Sequence, residues 1–195
     1  MKLIFATNNA HKVAEIKAVL PPAIDVLSLQ EAGITIDIPE PHPTLEANAV
    51  EKATVIHQLT NTSCFSEDTG LEVAALHGEP GVRSARYAGD QATAQENIEK
   101  LMGILKSATD RSAQFRTVIC LILQGKQHLF EGICKGAIIT VQKGSSGFGY
   151  DPVFIPNGAD KTFAQMTLEE KSRYSHRRKA VDKLVEFLNS TTIKA

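Results

Sequence analysis

The sequence predicts an α/β fold built on a mixed β-sheet, and three observations carry that expectation. Short apolar runs of strand length alternate with amphipathic helical patterns along the 195 residues. Two of the helical patterns open with a threonine three residues ahead of a glutamate, the arrangement in which each side chain caps the other's backbone. A Gln124-Gly125-Lys126 turn separates two apolar runs and marks a hairpin, so part of the sheet must be antiparallel.

Taken in order, Leu3 to Ala6 reads as a buried strand, followed by Thr7-Asn8-Asn9 and a helix with Val13, Ile16, Val19 and Leu20 inward. Pro21-Pro22 stops that helix. Ile24 to Leu29 and Ile34 to Ile38 read as strands, the second running into Pro39, Pro41 and Pro43, which exclude regular structure. Thr44 caps a helix through about Leu59, with Leu45, Ala49, Ala53 and Ile56 on one face. A strand near Cys64 to Ser66 ends in a polar corner, Glu67-Asp68-Thr69-Gly70. Thr93 to Glu96 opens a helix with Ile98, Leu101 and Leu105 inward. Phe115 to Leu123 and Gln127 to Cys134 form the hairpin, and Ala137 to Val141 a third strand. Thr167 to Glu170 is the second capping box, and Ala180, Val181, Leu184 and Leu188 stripe the last helix. The length predicts one domain or a compact two-lobed one over residues 1–195, and there is no internal repeat.

Twenty-one bases against 22 acids give a net charge of -1, which excludes the global positive field of a nucleic-acid binder. The longest apolar run, Val118 to Leu123, is far short of the roughly 20 residues that span a bilayer. The apolar start turns polar at Thr7, too early for a signal peptide. Cys64, Cys120 and Cys134 show no C-x-x-C spacing, and they read as buried free thiols in a reducing compartment. A soluble, cytoplasmic protein with neither nucleic-acid nor membrane partners is expected.

The near-neutral sum hides two poles. Residues 31–79 hold nine acids and one base, Lys52, whereas residues 161–183 hold seven bases and three acids. Such segments are either solvated helix faces or the two sides of a site. In the second reading carboxylates gather around a hard cation such as Mg²⁺, which commonly takes one or two carboxylates and completes its shell with substrate phosphates.

Four motifs could carry chemistry. Thr7-Asn8-Asn9-Ala10-His11-Lys12 joins a strand to a helix, so it is either a cap or an anion site made of backbone N–H groups with a lysine one turn in. Glu67-Asp68 is either a turn or a pair of carboxylates aimed to opposite sides of an extended strand. Gly144 to Pro152 contains three glycines and two aromatics, suited to a plain loop or to close approach and stacking on a ligand. Ser175-His176-Arg177 is either a surface pair or a set of hydrogen-bond donors.

Together with T-L-x-x-N-A-x-x-K-A at Thr44 to Ala53, P-G-V-x-S-A-R-Y-A-G at Pro80 to Gly89 and E-E-K-S-x-x-S-H-R at Glu169 to Arg177, these motifs span nearly the whole chain in one order. The set resembles the inosine/xanthosine triphosphate pyrophosphatase family, which removes noncanonical purine nucleoside triphosphates. The resemblance implies an elongated mixed sheet flanked by helices, two lobes with a central cleft, a homodimer and a Mg²⁺ requirement. It makes Asp68 metal ligand and general base, and Glu40 the other metal-binding carboxylate, with Glu67 a further candidate. It places Thr7, Asn8, Asn9, Ala10, His11, Lys12 and Lys52 on the triphosphate, Lys12 and Lys52 also serving the leaving group. Thr69 joins the substrate-binding set, and Phe148, Gly149, Tyr150, Asp151, Lys171, His176 and Arg177 hold the purine. Two departures stand out: Glu67-Asp68 replaces the Asp-Asp frequent in bacterial members, and Ala47 stands where a glutamate is frequent, with Glu46 one place earlier.

The reaction so implied is attack of water on the α-phosphorus with pyrophosphate leaving. Donors facing the purine 6-position would donate to the oxygen of inosine or xanthosine and repel the amino group of adenosine. GTP carries the same oxygen, so its rejection rests on pocket shape. A pyrophosphatase for other aberrant nucleotides and a non-enzymatic nucleotide-binding module are the competing readings.

Overall fold

The computed structural model describes residues 1–192. Its strands are β1 (Lys2–Phe5), β2 (Asp25–Ser28), β3 (Cys64–Val73), β4 (Pro80–Gly81), β5 (Ser112–Leu123), β6 (Lys126–Ile138) and β7 (Phe154–Pro156). Its α-helices are α1 (Ala10–Lys17), α2 (Leu45–Thr60), α3 (Ala94–Ile104), α4 (Leu168–Ser172) and α5 (His176–Thr192). The seven strands form one mixed sheet in the order β2-β1-β3-β5-β6-β7, with β4 paired to β3. β1 runs parallel to β2 (Leu3 opposite Val26) and to β3 (Phe5 opposite Phe65), while β4 on β3 and β7 on β6 are antiparallel. The α/β class and the mixed sheet are as the sequence predicts.

The chain divides into two compact units. The first comprises Met1–Asp68, Thr117–Gly132 and the chain from Arg177; the second comprises Thr69–Arg116 and Ile133–His176. Each has its own core. In the first unit, Leu3, Phe5, Val26, Phe65, Ile119 and Leu121 from the strands meet Ile16 of α1 and Ala180, Val181, Leu184 and Leu188 of α5. Phe5 and Phe65 stack with ring centroids 4.5 Å apart. In the second, Leu71, Phe115, Ile138 and Phe154 pack with Ile98, Leu101 and Leu105. Fully burying an aliphatic or phenyl side chain contributes roughly 1.5–3 kcal/mol, so each of these stripes can fasten its helix.

The caps form as read. Thr44 Oγ1 accepts from Ala47 N at 3.2 Å, and Thr93 and Thr167 both complete capping boxes, with Glu96 and Glu170. All three cysteines are buried and unbridged. No described helix is long and apolar enough to cross a membrane.

Three expectations need correction. Ile34 to Ile38 alternates in exposure but forms no strand, because no neighbour pairs with it before the prolines begin. Glu67 to Gly70 is no corner: β3 runs straight through it to Val73. Buried counter-charges remove the need to turn the two acids outward, and Gly70 lets the backbone of Gly81 come within 2.6 Å of where a Cβ would stand. Ala137 to Val141 is not a third strand; β6 absorbs Ala137 and Ile138, running through Gly136. That glycine serves the close pairing of β7, whose Ile155 carbonyl a Cβ would strike, rather than a turn. The two-residue strand β4 and three-residue β7 carry too little pattern to be read in advance.

Candidate functional site

In the first unit the alternation of β3 sorts the two acids. Successive strand residues face opposite sides. Cys64 and Ser66 point to α2, bonding the carbonyls of Ala53 and Ala49, so Asp68 points there too. Phe65 lies in the core formed with α1 and α5, and Glu67 follows it to that side.

On the α2 side, Lys52 Nζ donates to Asp68 Oδ1 at 3.1 Å, to the Glu67 carbonyl at 2.8 Å and to Glu40 Oε1. Glu40 comes from the irregular proline segment, so a single ammonium holds two carboxylates 28 residues apart in sequence. Asn48, four residues before Lys52 and hence on the same helix face, donates to Asp68 Oδ2 at 3.3 Å. Burial pushes the Asp68 carboxyl above the usual range; Lys52 opposes the rise and Glu40 adds to it. Burial works against the Lys52 charge, but Asp68 and then Glu40 outweigh it and hold its pKa above the ordinary lysine value.

On the other side, Glu67 takes a two-pronged grip from Arg177, Nε to Oε2 at 2.6 Å and Nη2 to Oε1 at 2.8 Å. Lys12 Nζ stands 3.2 Å from the same carboxylate, and Arg177 also binds Glu15. Arg177 is only 1% exposed. Burial opposes its charge, yet Glu67 and Glu15 outweigh burial and raise its pKa. Ahead of Lys12, the turn from β1 into α1 is ordered by its own side chains: Thr7 Oγ1 accepts from Asn9 N at 3.2 Å and Asn9 Oδ1 from Lys12 N at 3.1 Å. Asn8, Asn9, Ala10 and His11 are exposed there.

The second unit gathers a different set. Lys171 Nζ donates to Asp151 Oδ2 at 2.6 Å, with both side chains about 95% buried. The same oxygen accepts from Phe148 N at 3.0 Å, and Gly147 has no room for a Cβ because Asp151 occupies that place. The Lys171 ammonium lies 5.2 Å from the ring centres of Phe148 and Phe163. His176 stacks on Phe115 at 4.8 Å and 16°. Tyr150 donates to the Ser84 carbonyl at 2.9 Å, which ties the glycine-rich loop to the Pro80–Gly89 motif. Thr69 belongs to this unit as the half-buried next residue of β3.

Of the residues assigned to the purine, Phe148, Gly149, Tyr150, Asp151, Lys171 and His176 lie in the second unit, while Arg177 lies in the first. The Ham1 family profile matches residues 3–187. The chain belongs to the Ham1 family.

Similar proteins extend the match to full length. A protein of Flavobacterium johnsoniae named dITP/XTP pyrophosphatase is 51% identical over 191 residues, covering 98% of this chain and 100% of its own. One of the same name from Porphyromonas gingivalis is 50% identical over 188 residues, covering 96% and 97%. Among solved structures, the Staphylococcus aureus Ham1 protein aligns with a TM-score of 0.88 at 38% identity, covering 98% of this chain and all of that one. A HAM1 protein from Coxiella burnetii aligns at 0.89 and 34%, covering 97% and 99%.

Sequence reasoning on this Ham1 chain missed Glu15 and Asn48. Helical spacing was the available signal, since Glu15 follows Lys12 by three residues and Asn48 precedes Lys52 by four.

Proposed function

We propose that the chain hydrolyses noncanonical purine nucleoside triphosphates, ITP, dITP and XTP, to the monophosphate and pyrophosphate, with water attacking the α-phosphorus. The observation that carries this is the meeting of Glu40 and Asp68 on one buried ammonium, in a chain about half identical throughout to proteins named for this activity.

The donor set suits Mg²⁺. Among the described residues no three His, Cys, Asp or Glu side chains converge as a ready metal cage, but Mg²⁺ asks for one or two carboxylates plus substrate phosphates. Glu40 and Asp68 are two carboxylates already gathered around a positive charge. Glu67, by contrast, has both oxygens engaged by Arg177, which supports a charge-balancing role for it over a ligand role. When bound, Mg²⁺ supplies charge neutralisation on the phosphates and a lowered pKa for water.

The chain's own groups supply the rest. Asp68, with its pKa raised, accepts the proton of the attacking water. Lys52 stays charged and, with Lys12, stabilises the negative charge that develops on departing pyrophosphate. The turn from Thr7 to His11, exposed from Asn8 onward, offers N–H groups at the start of α1 to phosphate oxygens. In the second unit, Phe148 offers a face for stacking, and Lys171 and His176 are donors suited to a 6-oxo purine. The homodimer expected from the resemblance and a cytoplasmic setting, which free buried thiols suit, complete the reading.

The test is product analysis with ITP, dITP, XTP, ATP and GTP, with and without a chelator. Pyrophosphate from the 6-oxo substrates, abolished by chelation and absent with ATP, is expected. Orthophosphate as the product would rule the reading out.

A further inference from the structure

Asn48 is wholly buried in α2, and each polar atom of its amide has a defined partner. Oδ1 accepts from the His42 backbone N–H at 2.9 Å, while Nδ2 donates to the His42 carbonyl at 3.2 Å and to Asp68 Oδ2 at 3.3 Å. A backbone N–H can only donate and a carbonyl can only accept, so pairing with His42 permits one orientation of the amide. The remaining N–H is thereby aimed at Asp68. The two oxygens of Asp68 are thus addressed separately, Oδ1 by Lys52 and Oδ2 by Asn48. His42 lies two residues after Glu40, in a stretch that neither strand nor helix holds. One side chain therefore ties the segment bearing Glu40 to the carboxylate of Asp68.

We propose that Asn48 is a positioning residue, which sets Asp68 and the Glu40 segment relative to each other so that both carboxylates can serve one divalent cation. The inference rests on the triphosphate-hydrolysis reading above and adds a residue to it. Removing Asn48 leaves both carboxylates and their Lys52 contacts in place, but it takes away the donor to Asp68 Oδ2 and the anchor of the His42 backbone on α2. Groups that orient metal ligands in this way typically cost about 10–100-fold in metal affinity or activity when removed.

The experiment compares wild type with Asn48→Ala and Asn48→Leu, the second keeping the branched shape of the side chain without its polar atoms should the smaller residue fail to fold. Thr44→Ala serves as control, since it removes the cap of the same helix without touching Asp68. Four quantities are measured: kcat and KM for dITP at saturating Mg²⁺, the Mg²⁺ concentration for half activity, Mn²⁺ affinity of the nucleotide-free protein by calorimetry, and exchange of the Glu40 and His42 amides without metal, the prolines between and beside them having none. In both Asn48 variants, kcat and Mn²⁺ affinity should fall about 10–100-fold and half activity should need correspondingly more Mg²⁺. KM should stay within about threefold, the mark of an interaction outside uniform substrate binding. Exchange of the His42 amide, which donates to Asn48 Oδ1, should quicken. Thr44→Ala should lower the unfolding midpoint and leave the other readouts at wild-type values.

The proposal is overturned if a folded Asn48 variant keeps kcat and Mn²⁺ affinity near wild type, or if Thr44→Ala loses them equally. Failure of the wild type to release pyrophosphate from dITP would fault the parent reading. Mn²⁺ affinity and exchange would then still decide whether Asn48 organises the two carboxylates.

Discussion

The two units handle buried charge in opposite ways. In the first, Lys12, Lys52 and Arg177 are interleaved with Glu15, Glu40, Glu67 and Asp68, so every charge is offset by neighbours of the other sign. In the second, the Lys171–Asp151 pair sits among the rings of Phe148 and Phe163. A network of charges can exchange partners when a polyanion and a cation arrive, whereas a pair framed by aromatic faces offers a few fixed donors beside a flat surface. The first arrangement suits phosphate chemistry and the second suits recognition of a planar base.

Breaking the first unit's chemistry should have the largest effect. Asp68→Asn should cut turnover by about two to four orders of magnitude, the scale of a positioned base with its electrostatics. Steady-state kinetics on dITP measure this, and a variant within threefold of wild type would remove Asp68 from its role.

Arg177 sharpens the comparison because the purine assignment and the ion network make different demands of it. Arg177→Leu takes the guanidinium from Glu67 and Glu15, with Lys12 still 3.2 Å from Glu67, and loss of one partner of a buried pair typically costs about 3–5 kcal/mol. Urea unfolding should show that loss. A variant as stable as wild type, impaired only in choice of base, would return Arg177 to purine reading alone.

In the second unit a loss of base choice should accompany a loss of stability, because Lys171 is the cation paired with the buried Asp151 carboxylate. Lys171→Met keeps the stem of the side chain against the rings but removes the donor, so the preference for dITP over ATP in kcat/KM should narrow by about 100-fold. Equal losses on both substrates would mean that Lys171 supports the loop without reading the base.

The smallest effect should come from Thr93→Ala, which deletes a capping box in the second unit far along the chain from either cluster. About 1 kcal/mol of stability should go, with kinetics unchanged. A kinetic change there would mean that α3 contributes to the site.

Much of this was legible beforehand, and the legible parts share a cause. Thr44, Thr93 and Thr167 announce helix starts because a cap needs only a partner three residues away. The stripe from Ala180 to Leu188 announces a buried face because helical periodicity is local. Glu67 to Gly70 misled for the complementary reason: two acids and a glycine look like a turn until their counter-charges are known. Arg177 is 110 residues from Glu67 in the chain.

By itself, then, the sequence determined the α/β class, the helix caps and the burial of the cysteines, all properties written within a few residues of one another. Only the tertiary structure decided which charge faces which. The period of two in β3 sends Glu67 toward Arg177 and Lys12 and Asp68 toward Lys52 and Asn48. Partners drawn from distant segments then make burial of both acids affordable, because desolvation is offset only by opposite charge and hydrogen bonds at close range.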